Sequence, residues 1–251
     1  MMARFFKSRQ RPAVAGPFLP DGERVYAIGD VHGCLGMLDD LLARIEADDA
    51  SRDDAATTII FLGDLVDRGP DSAGVVARVR ELARTRPVRV LKGNHEEIFL
   101  RAMEGERDAL RLFCRVGGRE TALSYGIDDA AYERSDFDEL ADLLAAHVSP
   151  EDRAFIDGFE DMVVAGDYVF VHAGVDPRVP LAEQTPAQLR WIRDRFLDHG
   201  TALEKHVVHG HTISETVEYR SHRIGIDTGA FSTGRLTALG LQGSDSWELT
   251  T

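Results

Sequence analysis

The chain has 251 residues, 43% of them hydrophobic and 29% charged, which is ample for one large or two small domains with a buried core. Its 43 acidic and 29 basic residues give a formal net charge of −14, which argues against a nucleic-acid backbone or an anionic membrane surface as the main partner. No apolar run approaches the length of a membrane-spanning helix.

The first residues differ in character from the rest. The stretch MMARFFKSRQRP is basic but lacks the apolar region of a secretory signal. Residues 1–22 are therefore predicted to form a flexible basic arm, followed by one domain over residues 23–251, and the missing signal favours a cytoplasmic location. Cys34 and Cys114 have no metal-ligand spacing and are expected to be free thiols.

In chain order, short apolar runs rich in β-branched residues alternate with longer helical patterns. Strands are predicted at 25–28, 58–62 and 88–91, and helices at 35–45 and 73–83. This alternation predicts an α/β fold with buried strands.

The second half of the chain begins with a helical pattern over residues 136–159, in which Ser149 caps a second helix and Pro150 occupies its first position. Strands then dominate. Gly166-Asp167 lies between apolar runs at 162–165 and 168–171, which indicates a hairpin. Further strands are predicted at 207–208, 223–226 and 236–241.

Polar residues follow five of the predicted strands, in most cases directly after a glycine. The residues are Asp30 with His32, Asp64, Asn94, His172 and His211. In α/β sheets the loops beyond the carboxyl ends of the strands form the ligand crevice. One such residue would be ordinary turn chemistry, because Asp and Asn are common turn formers, but five favour a metal site.

The candidate ligands are oxygen and imidazole nitrogen without thiolate, which suits Mn²⁺, and also Fe or Zn. Asp64 can bridge two ions. With only Asp30 and Asp64 as carboxylate ligands, two divalent cations would keep a net positive charge, so an acidic protein can hold a pocket that attracts anions. Two ions about 3.5–4 Å apart can activate a water and clamp a phosphoryl displacement.

Five motifs together resemble the ordered signature of the phosphoprotein phosphatase family of calcineurin-like metallophosphoesterases. They read GDVHG from Gly29, GDLVDRG from Gly63, GNHE from Gly93, HAG from His172 and GHT from Gly210. The resemblance runs from about residue 24 to about residue 240 and is nearest to bacterial and phage-lambda-type serine/threonine phosphatases. It implies two packed mixed β-sheets flanked by helices, and a metal-dependent phosphatase.

The resemblance also implies a role for each matching residue. Asp30, His32 and Asp64 would hold the first metal, and Asp64, Asn94, His172 and His211 the second. A water bridging the ions would attack the phosphate, with His95 as general acid oriented by Asp67. Arg68, Asn94 and Arg193 would bind the phosphate.

Some assignments stay open in the sequence. Arg193 lies in a tryptophan-x-arginine element, but the same pattern fits a solvated helix face with Trp191 packed inward. In the segment 116–121, Val116 replaces the asparagine usual in bacterial members, so no substrate contact is assigned there. His209, two residues before His211, could orient that candidate ligand through a hydrogen bond. The remaining histidines are expected to be exposed or structural: His147, His199, His206 and His222.

Three functions fit these residues. The leading hypothesis is hydrolysis of phosphoserine or phosphothreonine in a protein or peptide substrate. The second is symmetrical hydrolysis of diadenosine tetraphosphate, whose family shares GDVHG and GNH but typically has alanine in place of Asp67 and aspartate in place of Glu96. The third is a non-catalytic scaffold, which the complete set of ligands disfavours. The oligomeric state stays open.

Overall fold

The computed structural model describes residues 16–251. Most of the predicted arm, residues 1–15, lies outside the described residues. Within its remainder, Leu19 is fully buried and its backbone N–H donates to the Gly243 carbonyl at 2.9 Å. The packed part of the chain therefore includes Leu19, upstream of the predicted boundary at residue 23. One domain over residues 23–251 stays a prediction.

Strands and helices alternate through the first part of the chain, a run of helices follows, and strands return. The first part comprises β1 (Glu23–Ile28), α1 (Leu35–Ala50), β2 (Ala56–Phe61), α2 (Ser72–Thr85) and β3 (Val88–Val90). The helical run comprises α3 (Asn94–Met103), α4 (Arg107–Val116), α5 (Gly118–Ser124), α6 (Asp129–Arg134), α7 (Phe137–His147) and α8 (Pro150–Asp157). The last part comprises β4 (Met162–Ala165), β5 (Tyr168–Val171), α9 (Pro186–Trp191), α10 (Asp194–Leu197), β6 (His206–His209), β7 (Glu218–Tyr219), β8 (Arg223–Gly225), α11 (Ala230–Thr233), β9 (Thr237–Gln242) and β10 (Asp245–Thr250).

The strands form two mixed five-stranded sheets, ordered β10-β9-β1-β2-β3 and β4-β5-β6-β8-β7. In the first sheet β1, β2 and β3 are parallel, and β9 and β10 run antiparallel beside them. In the second, β5, β6 and β8 are parallel, and β4 and β7 form antiparallel edges.

The alternation of side chains along β1 shows how the layers pack. Val25 and Ala27 join a core cluster that also contains Phe170 and Val208 of the second sheet, so the two sheets pack face to face. Tyr26 and Ile28 point to the other face, into the cluster that contains the buried side of α1. Both faces of the strand are thus covered, which explains its continuous apolar sequence.

Several helices begin at polar residues that accept hydrogen bonds from the first helical turn. The Asp71 carboxylate accepts from the Gly74 N–H at 2.8 Å at the start of α2, and the Ser149 hydroxyl accepts from the Asp152 N–H at 3.0 Å at the start of α8. These contacts satisfy backbone donors that have no partner inside the helix. The second case confirms the predicted cap.

The α/β class, the two mixed sheets and the flanking helices are confirmed. Strand β10, the helices from α3 to α6 and the short segments α9, α10, β7 and α11 were not predicted as elements. None of the helices between Gly16 and Thr251 combines the length and hydrophobicity that crossing a bilayer requires.

Candidate active site

The carboxyl ends of parallel strands from both sheets meet at one place, and the polar residues singled out in the sequence lie there. The loops after β1, β2 and β3 bring residues from the first sheet, and those after β5 and β6 bring residues from the second. Two clusters of candidate ligands result, sharing Asp64: one with His32 and His95, the other with His172 and His211. Within each cluster the ligand atoms lie within 4.8 Å of one another.

The backbone at this place is unusual. The described chain has only five non-glycine residues with a clearly positive φ, and all lie in these loops: His32, Asp64, Asp67, Arg68 and His211. Such conformations are unfavourable for residues with a Cβ and persist only where the surroundings hold them. The loops therefore place these side chains at a cost in backbone energy.

The Oδ2 atom of Asp64 occupies the centre of the site. It lies 3.4 Å from Nε2 of His172, 3.6 Å from Nε2 of His32 and 3.9 Å from Nε2 of His95. One oxygen thus faces donors from both clusters, the position expected of a ligand shared by two ions.

Two of the imidazoles are oriented by backbone carbonyls behind them. Nδ1 of His32 donates to the Val66 carbonyl and Nδ1 of His172 to the Leu62 carbonyl, each at 2.8 Å. Burial lowers the pKa of His32 to about 3 and also lowers that of His172. Both rings are therefore neutral and present an Nε2 lone pair on the side of Asp64, as metal-ligating histidines do, although Nε2 of His32 also accepts from Arg68 at 3.0 Å.

The arrangement of acceptors fits divalent cations. Nε2 of His172 lies 3.1 Å from Nδ1 of His211 and 3.0 Å from Oδ1 of Asn94, although that His172 nitrogen carries no proton. Nε2 of His211 is buried without any hydrogen-bond partner among the described residues. The His172 nitrogen and the Asn94 oxygen are both acceptors that face one another, an arrangement that a cation between them would stabilise, and carboxylate, amide and imidazole donors suit Mn²⁺, Fe or Zn.

Asp30 lies at the same place but outside the two clusters. Its carboxylate accepts the backbone N–H of His211 at 3.0 Å. Burial, and then the neighbouring carboxylates of Asp227 and Asp64, raise its pKa well above the usual range. A cation nearby would offset this repulsion, so the surroundings of Asp30 also fit a metal.

His95 and Asp67 form a buried pair beside the clusters. Nδ1 of His95 lies 2.6 Å from Oδ2 of Asp67, and the His95 backbone N–H donates to Oδ1 of Asp64 at 3.0 Å. Burial opposes the charged imidazolium, but the charges of Asp64 and Asp67 and the hydrogen bond to Asp67 outweigh it, so the pKa of His95 is raised. The arrangement can hold a proton on His95.

Two arginines without a carboxylate partner lie at or near the site. The Arg68 guanidinium lies 3.0 Å from Nε2 of both His32 and His95, and it stacks over the ring of Phe231 at 4.7 Å from the centroid. Arg193 is exposed, and its charge acts to lower the pKa values of His172 and His211, so it lies near them. Within residues 16–251 neither arginine forms an ion pair, which leaves both cations available to an anion.

Residues 23–229 match the family model described as calcineurin-like phosphoesterase. The chain belongs to this family. Among curated relatives, this phosphoesterase is 28% identical to serine/threonine-protein phosphatase 1 of Salmonella typhimurium (strain LT2) over 230 residues, which cover 87% of the chain and 92% of the relative. It is 32% identical to a symmetrical bis(5'-nucleosyl)-tetraphosphatase of Janthinobacterium sp. (strain Marseille) over 159 residues.

That second alignment covers 63% of this chain and 46% of the Janthinobacterium protein, so the chain spans about half of that relative's length. Among solved structures, a putative diadenosine tetraphosphatase is similar with a TM-score of 0.62 and 21% identity, over 96% of each chain. At 21% identity, this structural similarity establishes a shared fold and nothing more. The phosphoesterase therefore shares its family with relatives named for two different substrates.

Sequence reasoning did not find a role for Glu96 in the phosphoesterase. Its fully buried carboxylate accepts backbone N–H groups of Gly93 at 2.8 Å, Asp64 at 2.9 Å and Leu65 at 2.7 Å. It thereby ties the loop that carries Asp64 to the start of α3. A glutamate three residues after a helix cap is a known sequence signal, which could have indicated this contact.

Thr121, Phe231 and Asp227 were also missed as site residues. Thr121 contacts Asp67, Phe231 packs against Arg68 and His32, and Asp227 is buried beside Asp30. Asp227 directly follows the predicted strand at 223–226, a local signal that could have indicated it, whereas Thr121 and Phe231 carry no such signal because their partners are distant in sequence. His209 instead contacts the Gly210 carbonyl and Arg223, so its side chain makes no hydrogen bond to a candidate ligand.

Proposed function

We propose that the protein is a metal-dependent phosphomonoesterase that hydrolyses phosphoserine and phosphothreonine in proteins. The observation that carries the proposal is the buried 2.6 Å contact between His95 and Asp67 beside the shared ligand Asp64. A serine alkoxide is a poor leaving group, and its departure benefits from an oriented, charged imidazolium.

In this proposal, Asp30, His32, Asp64, Asn94, His172 and His211 hold two divalent cations. When bound, the two cations supply an electrophilic clamp for the phosphate and an activated water. Arg68 and Arg193 bind phosphate oxygens, for which the planar guanidinium is well shaped. Arg68 lies 3.0 Å from Nε2 of His95 and would leave that nitrogen to bind the phosphate. His95 then gives its Nε2 proton to the departing oxygen, and Asp67 holds the ring through Nδ1.

The small number of unpaired arginines near the site favours a phosphomonoester substrate over a polyphosphate substrate. Arg190, in the helix just before Arg193, is already paired with Glu97 and Asp161. Arg119, on the segment that packs against Arg68, is paired with Asp129. A tetraphosphate chain carries several charges outside the reacting phosphate, and such charges favour additional unpaired cations.

Symmetrical hydrolysis of diadenosine tetraphosphate is the second candidate. It is favoured by the 32% identity to the Janthinobacterium relative and by the fold shared with a putative diadenosine tetraphosphatase. Against it stands Asp67, because a nucleotide phosphate leaves more easily than an alkoxide and needs less help from a charged acid. A cytoplasmic location and Mn²⁺ as the preferred ion complete the proposal.

The decisive experiment measures kcat/KM for a phosphothreonine peptide and for diadenosine tetraphosphate, side by side at one pH and one Mn²⁺ concentration. We expect the peptide to be the better substrate and Asp67→Ala to narrow the difference. A clear preference of the wild-type enzyme for diadenosine tetraphosphate would overturn the proposal and establish the second candidate.

A further inference from the structure

Asp67 and Arg68 are consecutive residues with φ values of 72° and 69°, a left-handed pair that neither residue type favours. Something outside this turn must hold it. The contacts come from Gly117, between α4 and α5, and from the first half of α5 up to Thr121, about fifty residues further along the chain. We call residues 117–121 the support segment.

The support segment forms hydrogen bonds with both residues of the turn. The Arg68 backbone N–H donates to the Gly117 carbonyl at 3.0 Å. Gly117 has a φ of 107°, and a Cβ placed on it would lie 2.7 Å from the Arg68 nitrogen, so no larger residue fits without displacing Arg68. At the other end of the segment, Thr121 is fully buried against Asp67.

Thr121 forms hydrogen bonds with two polar atoms of Asp67, the carboxylate oxygen that does not contact His95 and the backbone N–H. The Thr121 hydroxyl donates to Oδ1 of Asp67 at 2.7 Å and accepts the Asp67 backbone N–H at 2.8 Å. The same N–H also lies 3.0 Å from the Ser72 hydroxyl, which lies 3.0 Å from the Thr121 hydroxyl. Because the only hydroxyl proton of Thr121 is donated to Asp67, Ser72 is the donor in the contact between the two hydroxyls.

We propose that Thr121 is a positioning residue for the proton donor, acting through Asp67. This inference rests on the proposed role of His95 but not on the choice between protein and nucleotide substrates. With Oδ1 held by Thr121, the carboxylate plane is set and Oδ2 points at Nδ1 of His95. Without the hydroxyl, a buried carboxylate oxygen loses its donor, and the carboxylate turns to find another.

The test compares Thr121→Val, which removes the hydroxyl at nearly constant shape, with Thr121→Ser, which keeps it. We expect Thr121→Val to lower kcat on an alkyl phosphate by roughly 10- to 100-fold, the usual effect of removing a supporting hydrogen bond. The loss on p-nitrophenyl phosphate should be smaller, since its leaving group needs little protonation. Thr121→Ser should stay near wild type, as should Arg119→Ala, a control change of a half-buried side chain in the same segment.

Two further measurements separate positioning from a general structural effect. In a His95→Asn background, Thr121→Val should cause no additional loss, because its effect passes through His95. In protein loaded with diamagnetic Zn²⁺, the proton shared by His95 and Asp67 should give a downfield resonance that Thr121→Val shifts or removes and Thr121→Ser retains.

Equal losses on alkyl and aryl phosphates, or an unchanged resonance in Thr121→Val, would overturn the inference. So would a further loss in the His95→Asn background. A wild-type preference for diadenosine tetraphosphate would instead count against the proposed substrate alone, because the alkyl and aryl comparison and the resonance do not depend on that preference.

Discussion

Nδ1 of His95 lies 2.6 Å from Oδ2 of Asp67, and both side chains are almost completely shielded from solvent. The carboxylate orients the ring and favours its charged form, while Nε2 faces the site. We therefore expect His95→Asn to lower kcat on alkyl phosphates by about 10²–10⁴-fold, the usual contribution of a general acid. Aryl phosphates should suffer less. Equal losses on a phosphoserine peptide and on p-nitrophenyl phosphate would contradict the acid role.

Metal removal should abolish activity. In the proposed mechanism the cations held around Asp64 activate the water and bind the phosphate. Exhaustive chelation should therefore stop turnover of p-nitrophenyl phosphate, and added Mn²⁺ should restore it. Asp64→Asn should weaken binding of both ions, measured by metal analysis, whereas Asp108→Asn on the exposed surface of α4 should not. Wild-type affinity for two ions in Asp64→Asn would rule out a shared ligand.

Replacing Glu96 should affect stability as well as activity. Its carboxylate accepts backbone N–H groups of Gly93, Asp64 and Leu65, and the amide of Glu96→Gln can offer only one oxygen to them. The buried donor left without an acceptor should cost about 1–3 kcal/mol in the free energy of unfolding. Urea denaturation of the metal-free protein measures this, and an unchanged midpoint would show that the contact is not stabilising.

Phe231 should influence phosphate affinity through Arg68. A ring stacked on the guanidinium orients it and leaves its positive charge intact. A carboxylate partner would instead neutralise that charge. Contacts of this type contribute about 0.5–2 kcal/mol, so Phe231→Leu should raise KM for p-nitrophenyl phosphate roughly 2- to 30-fold. Inhibition by inorganic phosphate should weaken in parallel while kcat changes little. The control is Phe231→Tyr, which keeps the ring; an equal effect of both variants would disprove stacking as the cause.

Asp48 should make stability depend on pH at acid values. Its carboxylate accepts hydrogen bonds from Tyr26, Arg52 and Trp247, joining α1 to β1 and β10. Burial opposes the charged form, but these bonds outweigh it, and the pKa of Asp48 is lowered. A depressed pKa contributes stability above the ordinary carboxyl pKa of about 4, and this contribution is lost as the pH falls through the folded value.

The measurement compares wild type with Asp48→Asn in urea over a range of pH. The difference in the free energy of unfolding should be about 1–3 kcal/mol at neutral pH and should shrink as the pH falls below about 4. A constant difference across that range would mean that the charge of Asp48 does not matter.

Much of the fold could be predicted because its central elements have clear local patterns. Strand β5 and, from Val25 onward, strand β1 are buried throughout and read as continuous apolar runs, and α1 and α2 have a helical period. The helices α4, α5 and α6 have at most 10 residues each and were not predicted. They are stabilised by packing between elements, as in the stacked rings of Phe99 and Phe113 at 5.6 Å, and such contacts leave little periodicity in a short segment.

Strand β10 was missed for a different reason. All its residues are exposed or half-buried at the sheet edge, and its sequence DSWELT lacks an apolar run. The strand is held by pairing with β9 across the turn at Gly243, where φ is 54°. Backbone pairing of this kind depends on the neighbouring strand more than on the side chains of the edge strand itself.

By itself, the sequence determined the types of candidate ligand, their positions directly after strands, and the adjacency of Asn94 to His95 and of Asp67 to Arg68. These are local properties, because a strand, a turn and the residue that follows them are contiguous in the chain. Only the tertiary structure decided that loops from two sheets meet around one oxygen of Asp64, and that Thr121 holds Asp67. Such contacts join residues far apart in sequence, and they form only when packing of the whole core brings their elements together.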